Sequence, residues 1–167
     1  LNVHPGLLPY TRGYNPNVWS IVEDLPAGVT IHWMDEGIDT GDIVATREIS
    51  VSFEDTGKDL YERIEKACYE LFVDTWPEIE QGTVEATAQA DADATYHEQS
   101  DFTELCAFDP EETCSVRELL DRLRALTFPP FNNAHVDIEG ERYYVDVSIT
   151  PADEATEPET VGLLESY

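Results

Sequence analysis

The chain has 167 residues, 41% of them hydrophobic, enough to bury a core around one main domain. Acidic residues outnumber basic ones by 36 to 9, for a formal net charge of −27. This argues against a nucleic-acid surface, which needs clustered Lys and Arg to displace counterions, and no apolar run reaches the roughly 18 residues of a membrane helix.

Asn2 to Gly13 reads as the end of a buried strand running into a loop rich in Pro and Gly, with an upstream segment expected before Leu1. Pro16 to Glu23 predicts a short helix with Asn15 placed to cap it. Val29 to Met34 and Ile43 to Val51 predict two strands. The turn-rich segment Asp35-Glu36-Gly37-Ile38-Asp39-Thr40-Gly41 joins them as a hairpin with a functional loop. Gly57 to Glu80 is the clearest helix: Leu60, Ile64, Cys68, Leu71 and Trp76 recur at near-helical spacing, Asp55 or Thr56 caps the start, and Gly82 lies just past the end.

Val84 to Asp101, rich in Ala, Asp and Thr, predicts an extended connection with little core and a change of domain. Ser115 is placed to cap a second amphipathic helix carrying Val116, Leu119, Leu120, Leu123 and Leu126, which stops at Phe128-Pro129-Pro130. Ala134 to Ile138 and Tyr143 to Ile149 predict a hairpin around Glu139-Gly140. From Pro151 the chain is acidic and is expected to be disordered. Cys68, Cys106 and Cys114 lack the spacing of a disulfide framework or a zinc site, and Cys68 reads as core. Elsewhere the acid is interspersed among apolar residues. That pattern suits a cytoplasmic protein of a halophile, where molar salt screens charge beyond about 3 Å.

Three motifs carry chemistry: Asn2-x-His4, Leu7-Leu8-Pro9-Tyr10-x-Arg12-Gly13, and Ile38-Asp39-Thr40-Gly41-Asp42-Ile43. In this order they resemble the formyltransferase family that uses 10-formyltetrahydrofolate. Arg12 to Ser20, Gly28 to His32 and Leu123 to Pro130 are similar to its sugar N-formyltransferase branch. The resemblance runs from Asn2 to about Ile149.

The resemblance implies an α/β fold. Residues 1–95 form part of a Rossmann-like mixed sheet with flanking helices, residues 96–150 a small C-terminal helix-plus-hairpin unit suited to dimerisation, and residues 151–167 the tail. It also implies transfer of a formyl group from 10-formyltetrahydrofolate, a co-substrate, to the amine of a nucleotide-linked amino sugar, without a metal. The partners are then two small molecules and a second copy in a homodimer, with no nucleic acid and no membrane. Methionyl-tRNA formylation is the enzymatic alternative, disfavoured because the C-terminal segment has no basic, barrel-like character. A truncated, non-catalytic paralogue acting as a binding module is the other alternative.

The reaction explains the side chains. An amine attacking a formyl carbon creates an oxyanion and an ammonium that must lose a proton. The Asn2 amide is suited to donate to that oxygen, as is a protonated His4. Asp39 is expected to raise the His4 pKa and to accept the amine proton through a water. By resemblance, Asp35, Glu36, Gly37 and Ile38 contact the pterin of the folate. Arg12, Tyr14 and Trp19 are candidates for the sugar nucleotide, with core packing an equal reading for Trp19. Asp39 reads alternatively as a turn residue before Gly41, and His32 as a hydrogen-bonded core histidine. Arg124 reads as a structural ion-pair partner, and His97 and His135 receive no role.

Overall fold

The computed structural model describes residues 1–156, so residues 157–167 of the expected disordered tail lie outside the described residues. Strand β3 (Ala27–His32) is buried at every position and is the middle strand of the sheet order β1-β3-β4. Its partners β1 (Asn2–His4) and β4 (Ile43–Ile49) both pair with it antiparallel. Among the described residues, parallel pairing occurs in two smaller sheets. One joins β2 (Arg12–Gly13) to β5 (Tyr96–His97), and in the other β6 (Ala107–Phe108) runs parallel to β7 (His135–Ile138). The chain is therefore α/β, with its site built on an antiparallel β1-β3-β4 sheet.

Helix α2 (Gly57–Gln81) starts at a capping box, in which the Thr56 hydroxyl accepts from the Asp59 N–H and the Asp59 carboxylate accepts from the Thr56 N–H. It ends at Gly82, whose φ of 66° is left-handed. Its buried stripe is Leu60, Ile64, Ala67, Leu71 and Thr75, and Ala67 and Leu71 pack with Val29 and Ile31 of β3. Trp76, expected on that stripe, is exposed: it follows Thr75 by one residue and so sits about 100° round the helix.

The other departures have local causes. Asn15 does not cap α1 (Pro16–Val22) with its side chain. It lies in the left-handed region at φ 52°, and its carbonyl accepts from Val18 N–H instead. Val84 to Asp101 is more structured than expected. Thr87 exchanges two main-chain hydrogen bonds with Ile43, β5 pairs with β2, and Glu98 and Asp101 form a capping box that opens helix α3 (Gln99–Cys106). These pairings are long-range, so local propensity did not announce them.

Strand β8 (Glu141–Tyr144) is shorter than predicted. The turn before it has Glu139 at φ 52° and Gly140 at φ 86°, the double positive φ of a tight hairpin turn. Beyond Tyr144 the pairing runs on for one more bond, from Val145 N–H to the Ala134 carbonyl, before Val147 N–H turns to the Thr127 hydroxyl.

Helix α4 (Val116–Leu126) also begins with a capping box, Ser115 with Glu118, but Val116 and Leu119, predicted for its apolar face, are exposed. Its buried face keeps the predicted Leu126, with Leu123 packed on the core, and also carries an ion pair. Arg124 is 4% exposed, and its Nε donates to Asp121 Oδ1 at 2.7 Å. Its Nη1 reaches the carbonyls of Ser52 and Asp55 at 3.2 and 3.1 Å, tying α4 to the start of α2. The Arg124→Met variant leaves Asp121 with Arg117 alone, the Ser52 carbonyl with the Asp55 N–H alone, and the Asp55 carbonyl without its guanidinium. Chemical denaturation in molar KCl is expected to show a loss of about 2 kcal/mol, and a loss below about 0.5 kcal/mol would show that this network is not a staple of the fold.

Candidate active site

Strand register assembles the site. In the β1–β3 ladder Asn2 lies opposite His32 and His4 opposite Thr30, so alternation puts all four side chains on one face. The other face presents Val3, Val29 and Ile31 to α2. The Thr30 hydroxyl donates to the Gly6 carbonyl at 2.8 Å and accepts from Leu8 N–H at 3.0 Å, which curls the loop after β1 back over His4. The imidazole of His4 then lies 3.1 Å, through Nε2, from the Thr11 carbonyl. Gly6 allows this closeness, since a Cβ there would stand 2.6 Å from His4 Nε2.

The third segment is the β3–β4 connection, which brings in Asp39. Its Oδ2 accepts from Gly13 N–H at 3.0 Å and lies 3.4 Å from His4 Nδ1. Its Oδ1 accepts from Asn2 Nδ2 at 3.3 Å and lies 3.4 Å from His32 Nε2. The side chains of His4, His32 and Asp39 are only 4%, 3% and 13% exposed, and the two imidazoles meet edge to face at 6.4 Å.

Hydrogen-bond logic assigns the protons. A carbonyl only accepts, so His4 Nε2 carries hydrogen toward Thr11, and in neutral His4 the lone pair of Nδ1 faces the Asp39 carboxylate. Likewise His32 Nδ1, 2.9 Å from the Trp33 carbonyl, carries hydrogen, and Nε2 accepts from Asn2 Nδ2 at 3.1 Å. Both amide hydrogens of Asn2 are thus engaged, by His32 and by Asp39.

Burial pushes the His4 pKa down, and this outweighs the pull of Asp39 in the opposite direction; the Thr11 carbonyl also raises it and His32 lowers it. The expectation of a raised value is therefore corrected: Asp39 acts in the expected direction, but desolvation wins.

Asn2, His32, Met34, Gly37, Ile38 and Asp39 line a cleft of about 240 Å³. Three of its lining residues, Asn2, His32 and Asp39, belong to the polar cluster. Asp35 shapes the loop from within, its carboxylate accepting from Gly37 N–H at 3.0 Å and from the Thr40 hydroxyl at 2.7 Å, and the Thr40 bond leads in holding its pKa low. Glu36 is exposed. A side chain on Gly41 would collide with the Trp33 carbonyl, so Asp39 reaches the imidazoles in a turn that needs glycine two residues later.

Arg12 is buried, borders a second cleft beside Ile38, Thr40 and Tyr96, and donates to Gln89. Tyr14 is exposed along one side and lines a cleft of about 260 Å³ that also includes Tyr61, Phe102, Phe128 and Phe131. Trp19 is buried, stacked 3.6 Å from the His97 ring, with Nε1 donating to the Tyr14 carbonyl; the structure does not bring it to the Asp39 cleft.

Sequence reasoning missed Gln89 and the Gly13 N–H, and it read His32 as a hydrogen-bonded core histidine, which it is, without placing it beside Asp39. Only His32 carried a usable signal, as the strand residue that antiparallel pairing sets against Asn2. His97, left without a role, supports Trp19 and approaches Glu23 at 2.9 Å.

The formyl transferase family model matches residues 1–76, and the N-formyltransferase dimerization C-terminal domain matches residues 101–151. A dTDP-4-amino-4,6-dideoxyglucose formyltransferase of Mycobacterium tuberculosis is 36% identical over 152 residues, 90% of this chain and 64% of that protein. The chain thus spans just under two thirds of that relative. A 4-N formyltransferase from Francisella tularensis superposes with a TM-score of 0.86 at 35% identity, over 90% of this chain and 62% of its own. The formyltransferase PseJ from Anoxybacillus kamchatkensis, solved with UDP-4,6-dideoxy-4-formamido-L-AltNAc and tetrahydrofolate, matches with a TM-score of 0.59 at 39% identity, over 62% and 54% of the two chains.

A lowered His4 pKa ties stability to pH. The unfolded chain binds a proton near the ordinary value of 6.5, whereas the folded chain takes it up only at lower pH. Stability from this group is therefore full above about 6.5 and is lost as pH falls toward the folded value. Denaturant midpoints measured between pH 7.5 and pH 5.5 are expected to fall with pH, and to fall less in His4→Gln. Equal slopes in the two proteins would remove His4 as the source.

Proposed function

We propose that the chain, whose residues 1–76 match the formyl transferase family model and residues 101–151 the N-formyltransferase dimerization C-terminal domain, carries the reacting centre of a folate-dependent N-formyltransferase that acts on a nucleotide-linked amino sugar. The observation that carries the reading is the convergence of Asn2, His4 and His32 on the Asp39 carboxylate at the edge of one cleft.

The cleft suits the donor. Met34 and Ile38 are exposed apolar side chains beside this polar cluster, a surface for a flat heteroaromatic ring next to groups that handle a carbonyl. Asp35, Glu36, Gly37 and Ile38 form the folate side, with Asp35 acting through the turn it holds together. The bound 10-formyltetrahydrofolate supplies the formyl carbonyl.

Asn2 gives up its longer hydrogen bond, the one to Asp39, and donates to the formyl oxygen as negative charge grows there. The new bond joins the sugar amine to the formyl carbon, and the bond from that carbon to the folate nitrogen breaks. The amine must shed a proton. Asp39 and the lone pair of His4 Nδ1 face each other with no hydrogen between them, so together they form a proton acceptor. The departing folate nitrogen then takes that proton, which balances the reaction.

Arg12, Tyr14 and Trp19 divide by exposure. Tyr14 offers a ring to the sugar nucleotide, Arg12 borders the second cleft, and Trp19 holds the Tyr14 main chain in place. The sugar is favoured over methionyl-tRNA by an electrostatic observation: Arg117, Arg122, Arg124 and Arg142 of the C-terminal unit are each ion-paired to a carboxylate, which leaves no basic surface for RNA phosphates.

We further propose that the β1-β3-β4 sheet is the part of a Rossmann-like sheet that bears the reacting centre, and that residues 96–150 pair two copies into a homodimer. We assign the enzyme to a salt-rich cytoplasm.

His4→Ala and Asp39→Ala in the full-length protein are each expected to lower kcat by at least about 100-fold with 10-formyltetrahydrofolate and dTDP-4-amino-4,6-dideoxyglucose in molar KCl, while circular dichroism reports a folded chain. Near-normal turnover in either variant would refute the assignment.

A further inference from the structure

Gln89 lies in a stretch without regular secondary structure, between two anchors. On one side Thr87 exchanges main-chain hydrogen bonds with Ile43 at 2.8 Å. On the other, the Thr95 carbonyl accepts from Arg12 N–H at 3.0 Å and the Thr95 hydroxyl accepts from Thr11 N–H at 2.8 Å. Between them the Gln89 side chain turns inward and uses its whole amide. Nε2 donates to the carbonyls of Asp39 and Gly41 at 2.9 and 2.8 Å. Oε1 accepts from Arg12 Nε and Nη2 at 3.2 and 2.8 Å.

These bonds close a ring around Asp39. The residue stands at φ 54°, a conformation that a non-glycine side chain keeps only where its surroundings hold it. Its carboxylate is held by Gly13 N–H, the neighbour of Arg12, and its carbonyl by Gln89, which also grips Arg12. One side chain therefore links the two segments whose spacing sets where the carboxylate points. The amide is also oriented without ambiguity, because two carbonyls demand its nitrogen and a guanidinium demands its oxygen.

We propose that Gln89 is a positioning residue for formyl transfer: it fixes the main chain of the Asp39 turn so that the carboxylate faces both His4 and His32. The role rests on the formyl-transfer reading of that centre and deepens it, since Gln89 reaches the reacting groups only through Asp39.

The test uses the full-length protein. Gln89→Met keeps the volume and removes both sets of hydrogen bonds. Gln89→Glu keeps the length and the contact to Arg12 but sets a carboxylate oxygen against two carbonyls, and it replaces the Met variant should that one not fold. With 10-formyltetrahydrofolate and dTDP-4-amino-4,6-dideoxyglucose, kcat is expected to fall on the order of tenfold to a hundredfold with little change in either KM. In an Asp39→Asn background the same substitution is expected to cost nothing further.

A readout independent of turnover accompanies this. Asp39 and His32 are the titratable groups that act on the His4 imidazole, Asp39 raising its pKa, so loosening Asp39 is expected to move the His4 titration, followed by NMR, to lower pH. Losses that multiply with Asp39→Asn, or an unmoved His4 titration, overturn the proposal. A wild-type protein that formylates no amino-sugar nucleotide overturns the proposed function instead, while the His4 titration still decides the role of Gln89.

Discussion

The structure around the cleft depends on supplying hydrogen-bond partners to one carboxylate, Asp39, that is mostly buried. A carboxylate withdrawn from water must recover hydrogen bonds or give up its charge. Asp39 has two unconditional donors, Gly13 N–H and the Asn2 amide. Its other two neighbours are imidazole nitrogens whose lone pairs face it in the neutral tautomers. Asp39 is thus adequately held but not saturated, and any proton delivered to the cluster would be shared between acceptors already in place. A site that must briefly accept a proton from a substrate nitrogen gains from this arrangement, because little has to move when the proton arrives.

Holding that arrangement explains features that look unrelated. The Thr30 hydroxyl bridges Gly6 and Leu8, so the loop that presents Thr11 to His4 is set by a strand residue two positions from His32. A glycine at 6 admits the imidazole, and a glycine at 41 admits the Trp33 carbonyl. These small residues and hydroxyls serve close approach rather than flexibility.

Much of this was legible in the sequence, and the illegible part has a common cause. Asn2-x-His4 is readable because two residues of one strand share a face, and the Asp39 turn because its residues are turn formers in an informative order. The helix over 57–81 announces itself through its own periodicity and its Thr56 cap. The place of His32 in the cluster is only faintly signalled, and Gln89 announces nothing. His32 enters the cluster through strand register, and Gln89 through a contact 48 to 50 residues away in sequence with an irregular turn. Neither relation has a local signature. The misjudged helix faces, Trp76 and Val116, fail for a different reason: apolar identity was taken as burial, whereas the buried positions next to them went to Thr75 and to the Asp121–Arg124 pair.

The charge of the chain belongs to the same account. With 36 acids and 9 bases, cations are scarce, and they are spent on structure. Arg63 binds Asp55, whose carboxyl is thereby held below its ordinary range against the opposing effect of burial. Arg47 bridges Glu70 and Asp74, and Arg124 fastens α4 to the residues before α2. Acids meanwhile open α2, α3 and α4 as capping partners at Asp59, Asp101 and Glu118, where a negative group meets the positive end of the helix. Ring contacts join residues 97–102 to the segment that follows β1. Tyr14 meets Phe102 edge to face at 5.6 Å, and Trp19 stacks on His97, whose strand pairs with Arg12 and Gly13. Because Gly13 also holds the Asp39 carboxylate, the packing of Phe102 and His97 bears mechanically on the Asp39 cluster.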